Sequence, residues 1–323
     1  MNSLKLALMC GLMAFHVSAV AQSATSEHEP DYPILTGPYF GQEPPGDTPE
    51  LFAPGLISTC REHSAAMFTP DGNELWFGRM FPAEICYAKI VNGRWTQPQT
   101  APFSGSYIDL YPVLSPHGSK LYFTSDRPVD SAGPRLSRGE VDLWVAERMD
   151  GRWSEPRHLG ETINIGRRTS CGSIAANGNL YFTTSPVADR SAEMYRSVFV
   201  GGVYSEPESL TELNSPQPDH CPFVAPDESY LIFSSFRGGF GRSDLFISFR
   251  TSDGSWTEPT NMGARINSPQ KDEYPFVTPD GRYLFFNSNR PSALNETTIP
   301  EGPGNIYWVD AGIITELRSQ VIR

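Results

Sequence analysis

The chain lacks most of the short motifs that announce a chemistry. No glycine-rich phosphate loop, no Gly-x-Ser-x-Gly elbow and no helix carrying His-x-x-x-His or Glu-x-x-His occurs. Their absence removes the usual signatures of nucleotide binding, α/β-hydrolase chemistry and helix-borne metal sites. Positive charge is scarce: 25 Lys and Arg stand against 37 Asp and Glu, a formal charge of −12. That balance excludes nucleic acid and anionic membranes as natural partners. Cysteine is scarce too. Beyond Cys10, only Cys60, Cys86, Cys171 and Cys221 are present, with no spacing that suggests a disulfide framework, so free buried thiols are expected. No amphipathic helical period of useful length competes with strand patterns.

Long apolar runs are confined to the N-terminus. Lys5 precedes Leu6–Val20, which ends in Ala19-Val20-Ala21 before Gln22. This reads as a secretory signal over residues 1–21, too short for a membrane span, and Met9 before Cys10 argues against a lipid anchor. Export to the periplasm or medium is therefore expected. Residues 22–48, rich in Pro, Gly and polar side chains, read as an extended, partly mobile leader. Residues 49–323 fit one large all-β domain without a further membrane span, and a monomer is expected.

What the chain has in quantity is a repeated phrase. Thr69-Pro70-Asp71-Gly72 leads into Glu74-Leu75-Trp76-Phe77, and Ser115-Pro116-His117-Gly118 into Lys120-Leu121-Tyr122-Phe123. Ala176-Asn177-Gly178, Ala225-Pro226-Asp227-Glu228 and Thr278-Pro279-Asp280-Gly281 precede three further aromatic runs. Each is a tight turn followed by a strand. A Ser or Thr and an Arg follow in most copies, at Arg79, Arg127, Arg190, Arg237 and Arg290. Then comes a third strand opening with Glu84, Asp142, Glu193, Asp244 or Asn305, and a second turn before Arg94-Trp95, Arg152-Trp153, Val203-Tyr204 or Ser255-Trp256, read as the fourth strand. In the last copy that position is degenerate, Ala311–Glu316.

Four strands repeated five times describe a β-propeller, with repeats at about 60–105, 106–165, 166–215, 216–268 and 269–318. Pro49–Ser58 resembles the segment after each fourth strand and is positioned to complete the fifth blade, which would leave no open sheet edge. A sixth, irregular blade stays open as an alternative. The repeat resembles the WD40-like (PD40) repeats of the TolB-type propeller family, whose phrase is Ser-Pro-Asp-Gly, an aromatic strand, Ser-x-Arg and Asp-Ile-Tyr. The resemblance covers roughly residues 60–310. It implies a scaffold for partner proteins, but a propeller hosts many activities and function has to be argued from the site.

The loops opposite the Pro-Asp-Gly turns are the longer ones: Pro128–Glu140, Pro186–Ala192 and Pro291–Gly304. Seven residues before each turn's proline position stand His63, Asp109, Thr169, Asp219 and Asp272. Beside them stand Arg61, Glu62, Arg167, Arg168, His220 and Glu273. All are expected near the axis where the inner strands begin. Three readings stay open from the residues: mutual pairing that caps the strands, a pocket for a polar ligand, or a catalytic site.

As a pocket, Arg61, Glu62, Arg167, Arg168, Asp219, Asp272 and Glu273 would bind a polar small molecule, glycan fragment or partner peptide. As an enzyme, His63, His220 and Asp109 are the catalytic candidates. His63, His220 and Asp219 would then hold a divalent metal for a lyase or hydrolase acting on a carbohydrate or other anionic compound. The arginines Arg127, Arg237 and Arg290 are expected to pair with Asp142, Asp244 and Asn305 as braces within a blade. Trp95, Trp153 and Trp256 are expected to pack between blades. The turn Thr251–Trp256 faintly resembles the Asp box of sialidase propellers, and a plain hairpin turn accounts for it equally well.

Overall fold

A computed structural model describes residues 33–59, 61–130, 133–136, 139–185, 192–292 and 304–322. The expected signal, Cys60, Arg190 and much of the three long loops lie outside the described residues, as does the side chain of Cys171.

Each turn phrase builds its hairpin through side-chain chemistry. In the first copy the Thr69 hydroxyl donates to Asp71 Oδ1 at 2.6 Å, and the Asn73 and Glu74 amides donate to Asp71 and Thr69. Gly72 takes φ +68°, a conformation that glycine adopts without strain. Thr278, Asp280 and Gly281 repeat the arrangement.

The result is five antiparallel blades. Their inner strands are His63–Phe68, Asp109–Leu114, Thr169–Ile174, Asp219–Val224 and Asp272–Val277. Each pairs with an aromatic second strand: Glu74–Met80, Lys120–Ser125, Leu180–Thr184, Tyr230–Ser235 or Tyr283–Ser288. The third strands are Ala83–Val91, Asp142–Met149, Glu193–Ser197, Asp244–Phe249 and Asn305–Asp310. Every inner strand touches the inner strands of both neighbouring blades, the fifth returning to the first, so the ring is closed.

The fourth strands differ from expectation. Arg94–Trp95 and Arg152–Trp153 only extend the third strands as hairpins, while the outer places are taken by Gln99–Thr100, Arg157–His158, Glu208–Ser209 and Thr260–Asn261. Gln97-Pro98, Glu155-Pro156, Glu206-Pro207 and Glu258-Pro259 follow the four hairpins and end them, and the chain rejoins the sheet beyond each proline. In the fifth blade the outer strand is Glu50–Leu51, paired with Trp308 and Tyr307. The Phe52 amide donates to Ile306 O, and Ser58 Oγ donates to the same carbonyl while accepting from the Ile306 amide. The C-terminal stretch read as a degenerate strand is a helix, Gly312–Val321. Ile313, Ile314 and Leu317 lie on one helical face and bury against Phe249, Tyr307 and Val309.

Residues 34–48, expected as a mobile leader, dock onto the fifth and first blades. Trp95 donates to Leu35 O and Gly37 O through its amide and its indole, and Phe40 stacks on the Trp95 ring at 4.1 Å. Phe52 is fully buried among Phe40, Phe68, Phe285 and Trp308. Trp153 meets Trp76 of the first blade edge-on, which is the packing between blades expected of that column. The Thr251–Trp256 turn is a self-contained hydrogen-bonded hairpin in which Asp253 accepts from Thr251 and Ser255. Cys86 and Cys221 are buried.

Phe52→Ala should remove the keystone of the closure. A loss of about 3–5 kcal/mol is expected, read as a lower urea midpoint at unchanged cooperativity.

Candidate functional site

The carboxylates expected to ring the axis are turned away from it. Asp109, Asp219 and Asp272 are buried, and each receives an arginine two residues past the end of its own blade's second strand. Arg127 Nη2 donates to Asp109 at 2.7 Å, and Arg237 and Arg290 donate to Asp219 and Asp272 at 2.8 Å. The same Nη2 atoms also donate to Phe103 O, Leu213 O and Ile266 O in the links before the inner strands. The second carboxylate oxygen accepts from Ser104 Oγ, the Ser215 amide or the Ser268 amide and hydroxyl. Each arginine Nε donates to the serine of Ser-x-Arg, and each guanidinium lies over aromatic rings of the second and third strands at about 5 Å.

These arginines are braces as expected, but with different partners. They reach the inner-strand aspartates, not Asp142, Asp244 or Asn305. Asp142 pairs with His158 of the outer strand at 3.0 Å, and Asp244 accepts from the Phe240 and Gly241 amides, so both acids are occupied within their own blade. Among the described residues, only in the first blade does the arginine meet the third-strand acid, Arg79 with Glu84 at 3.2 Å.

The remaining candidates are distributed unequally. His220 Nε2 lies 3.7 Å from Glu273 across the fourth and fifth blades, and His220 Nδ1 lies 3.2 Å from Cys221 Sγ. Burial pushes the His220 imidazole below its ordinary pKa, opposed by the charges of Glu273 and Asp219. His63 belongs to the first blade, two blades from His220 around the ring. It is buried beside Phe77, and neither ring nitrogen has a hydrogen-bond partner among the described residues. Burial pushes its pKa down to about 4. Arg61, Arg167 and Arg168 are exposed, Arg167 pairing with Glu140 at 3.0 Å, and Glu62 is half-buried. Among the described residues no group of three or more His, Cys, Asp and Glu is placed to hold a metal ion.

What faces the axis is a column that a strand period does not reveal. Every inner strand carries a register shift at the same place, after Ser64, Leu110, Ser170, His220 and Glu273. Ala65, Tyr111, Cys221 and Tyr274 sit there with φ of 23°, 53°, 53° and 58°. Such bulges re-aim side chains, and Pro112, Pro222 and Pro275 follow three of them where an unpaired residue needs no donor. The bulge amides of Cys221 and Tyr274 donate to Thr183 Oγ1 and Ser234 Oγ of the preceding blade.

Tyr111 and Tyr274 stack over the inner strand of the first blade, with ring centroids 5.1 Å apart and hydroxyls at 3.4 Å. The first blade has only Ala65 in that column, which leaves room for the stack. Below the bulges lies a cavity of about 450 Å³ that runs to the Pro-Asp-Gly turns. Met67, Val113, Ile174, Phe223 and Phe276 line it, one from each inner strand. The repeated Tyr-Pro and Cys-Pro pairs were the available signal for this column.

No protein-family model matches the chain, and no curated relative does. Among solved structures it is similar to TolB from Agrobacterium tumefaciens at 15% identity, covering 76% of this chain and 80% of that one, with a TM-score of 0.48. TolB from Acinetobacter baumannii follows at 16% identity over 76% of this chain, with a TM-score of 0.41, and the match spans about half of that protein, 52%. The gluconolactonase XC5397 from Xanthomonas campestris is 12% identical over 88% of this chain and 99% of its own, with a TM-score of 0.47. At these identities and scores the likeness carries no argument about ligand or activity.

Two outcomes follow from the braces and the buried imidazoles. Asp219→Asn strands the Arg237 guanidinium without its counter-charge and should cost about 3–5 kcal/mol. Arg167→Met at the exposed pair should cost under about 1 kcal/mol, both read by urea denaturation. Between pH 6.5 and 4 the unfolded chain binds a proton at His63 that the folded chain refuses. Stability should therefore fall with pH across that window, by about 3 kcal/mol from this group. Urea midpoints from pH 7 to 4.5 should decline less steeply in His63→Leu than in wild type.

Proposed function

We propose that this is an exported, non-enzymatic binding propeller, whose mouth at the start of the inner strands takes a polar ligand, a glycan fragment or a partner peptide. The observation that supports it is the commitment of Asp109, Asp219 and Asp272. Each gives one oxygen to an arginine and the other to the link before its strand. A general base or metal ligand needs an oxygen open to the reacting atom, and these carboxylates are fully buried with both oxygens already engaged. The polar groups left to the mouth are the His220–Glu273 pair, Glu62 and the exposed guanidinium groups of Arg61 and Arg168. Such a set suits recognition through hydrogen bonds and charge rather than bond making.

A thermal-shift series on the protein lacking residues 1–21 tests the reading. Neutral oligosaccharides, uronate oligosaccharides and acidic peptides are the probes, since binding to the native state raises the melting temperature. One class should raise it in wild type and lose at least about tenfold in affinity in an Arg61→Glu, Arg168→Glu double variant. A rise produced by zinc or manganese alone, abolished by His63→Ala with His220→Ala, would overturn it in favour of a metal-assisted lyase or hydrolase.

A further inference from the structure

The axial cavity is unlike the mouth in every chemical respect. It lies on the other side of the Tyr111–Tyr274 stack and is walled by all five inner strands. Its walls are apolar side chains and prolines, with Pro70, Pro116, Pro226 and Pro279 at the turn end. The few polar groups there are already engaged. Ser173 Oγ accepts from the Val224 amide, Ser115 Oγ from the Lys120 amide, and Asp280 from Thr278 and the Arg282 amide. Among the described residues no Lys, Arg or His lines it.

A cavity with so few free polar partners is a poor host for ordered water, which needs two to four of them. Leu114, Phe223 and Phe276 are only half-buried, although Val113, Ile174, Val224 and Val277 beside them are buried. Large apolar side chains facing a void forgo the dispersion contacts that a close-packed interior would supply. The volume falls within the range of small-molecule sites, which are typically about 300–1,000 Å³.

We infer that the cavity is a binding site for a neutral, largely apolar small molecule, entering from the Pro-Asp-Gly turn face. The charge of the occupant follows from the walls. An anion would lose its hydration and meet no cation, with the Asp280 carboxylate at the entrance. The site is separate from the mouth, and neither depends on the other being occupied.

The test is fluorescence titration of the protein lacking residues 1–21 with N-phenyl-1-naphthylamine, a neutral apolar probe, beside its sulfonated analogue 1-anilinonaphthalene-8-sulfonate. The neutral probe should saturate at one site per chain and bind at least about tenfold more tightly than the sulfonate. Leu114→Trp and Phe223→Trp, each confirmed folded by cooperative melting, should weaken the neutral probe by about tenfold or more by filling the cavity. The Arg61→Glu, Arg168→Glu variant should bind it as wild type does, which separates this site from the mouth. Failure to saturate, equal or tighter binding of the sulfonate, or saturation indifferent to both tryptophan variants would overturn the inference. The comparison of the two probes on the unmutated protein decides the matter even where a filled variant does not fold.

Discussion

A circle of sheets is stable only if its last member finds a strand that the sequence order does not supply. Here the fifth blade has three strands of its own, and the chain then turns into a helix. The missing edge comes from Glu50–Leu51, so the hydrogen bonds that close the ring join residues some 250 positions apart in the chain. Two paired residues are a weak join in themselves. The strength lies around them, in Phe40, Phe52, Phe68, Phe285 and Trp308 packed as one aromatic cluster. That cluster spans the first and fifth blades, so it cannot form in any fragment lacking either end. Closure is thus a long-range hydrophobic event, and everything positioned on the axis depends on it.

The aspartate–arginine braces act on a different scale. A buried pair recovers in Coulombic and hydrogen-bond energy little more than its desolvation costs, and an apolar pair of the same shape would often be as stable. What three apolar pairs would not supply is direction. Each guanidinium fixes the loop after the second strand, the link from the previous blade and the start of the inner strand through three donated bonds with set geometry. Arg127 reaches Ser125, Phe103 and Asp109 in this way, and its ring contacts fill the remaining face. The braces therefore specify where one blade hands over to the next, while the aromatic strands hold the blades together.

Much of this was legible in the residues because the turns are local. Thr-Pro-Asp-Gly closes its hairpin with its own hydroxyl and carboxylate, so the turn, the aromatic strand and the five-fold count can be read without knowing the fold. The site was less legible. Counting seven back from each turn finds the start of every inner strand, yet the bulge lies between the two positions. One extra residue changes which side chains face the axis. Asp109, Asp219 and Asp272 were on that account placed at the axis when they point into the links between blades. The brace partner was missed for a related reason. Arg127 and Asp142 are neighbours by repeat logic, but the guanidinium folds back over Phe123 and Trp144 to a carboxylate earlier in the chain. The helix at Gly312–Val321 was hidden because only four apolar positions, Ile313, Ile314, Leu317 and Val321, carry its period, and a four-strand repeat invites a strand there.

The bulge column also explains why one channel holds two environments. On the mouth side of it stand His220 and Glu273, with Asp109, Asp219 and Asp272 turned aside to their arginines, and beyond it the lining is Met67, Val113, Ile174, Phe223 and Phe276. A straight strand with alternating faces would have spread a mixed lining along the whole axis. Shifting the register once, at the same position in all five blades, lets each strand present one chemistry before the bulge and another after it. Tyr111 and Tyr274 stand at the change, where an aromatic ring satisfies the apolar side and a hydroxyl the polar one. The boundary depends on Ala65 as much as on the tyrosines. A third large ring in the first blade would compete for the space in which the two now stack, and the separation of the two ends would be lost.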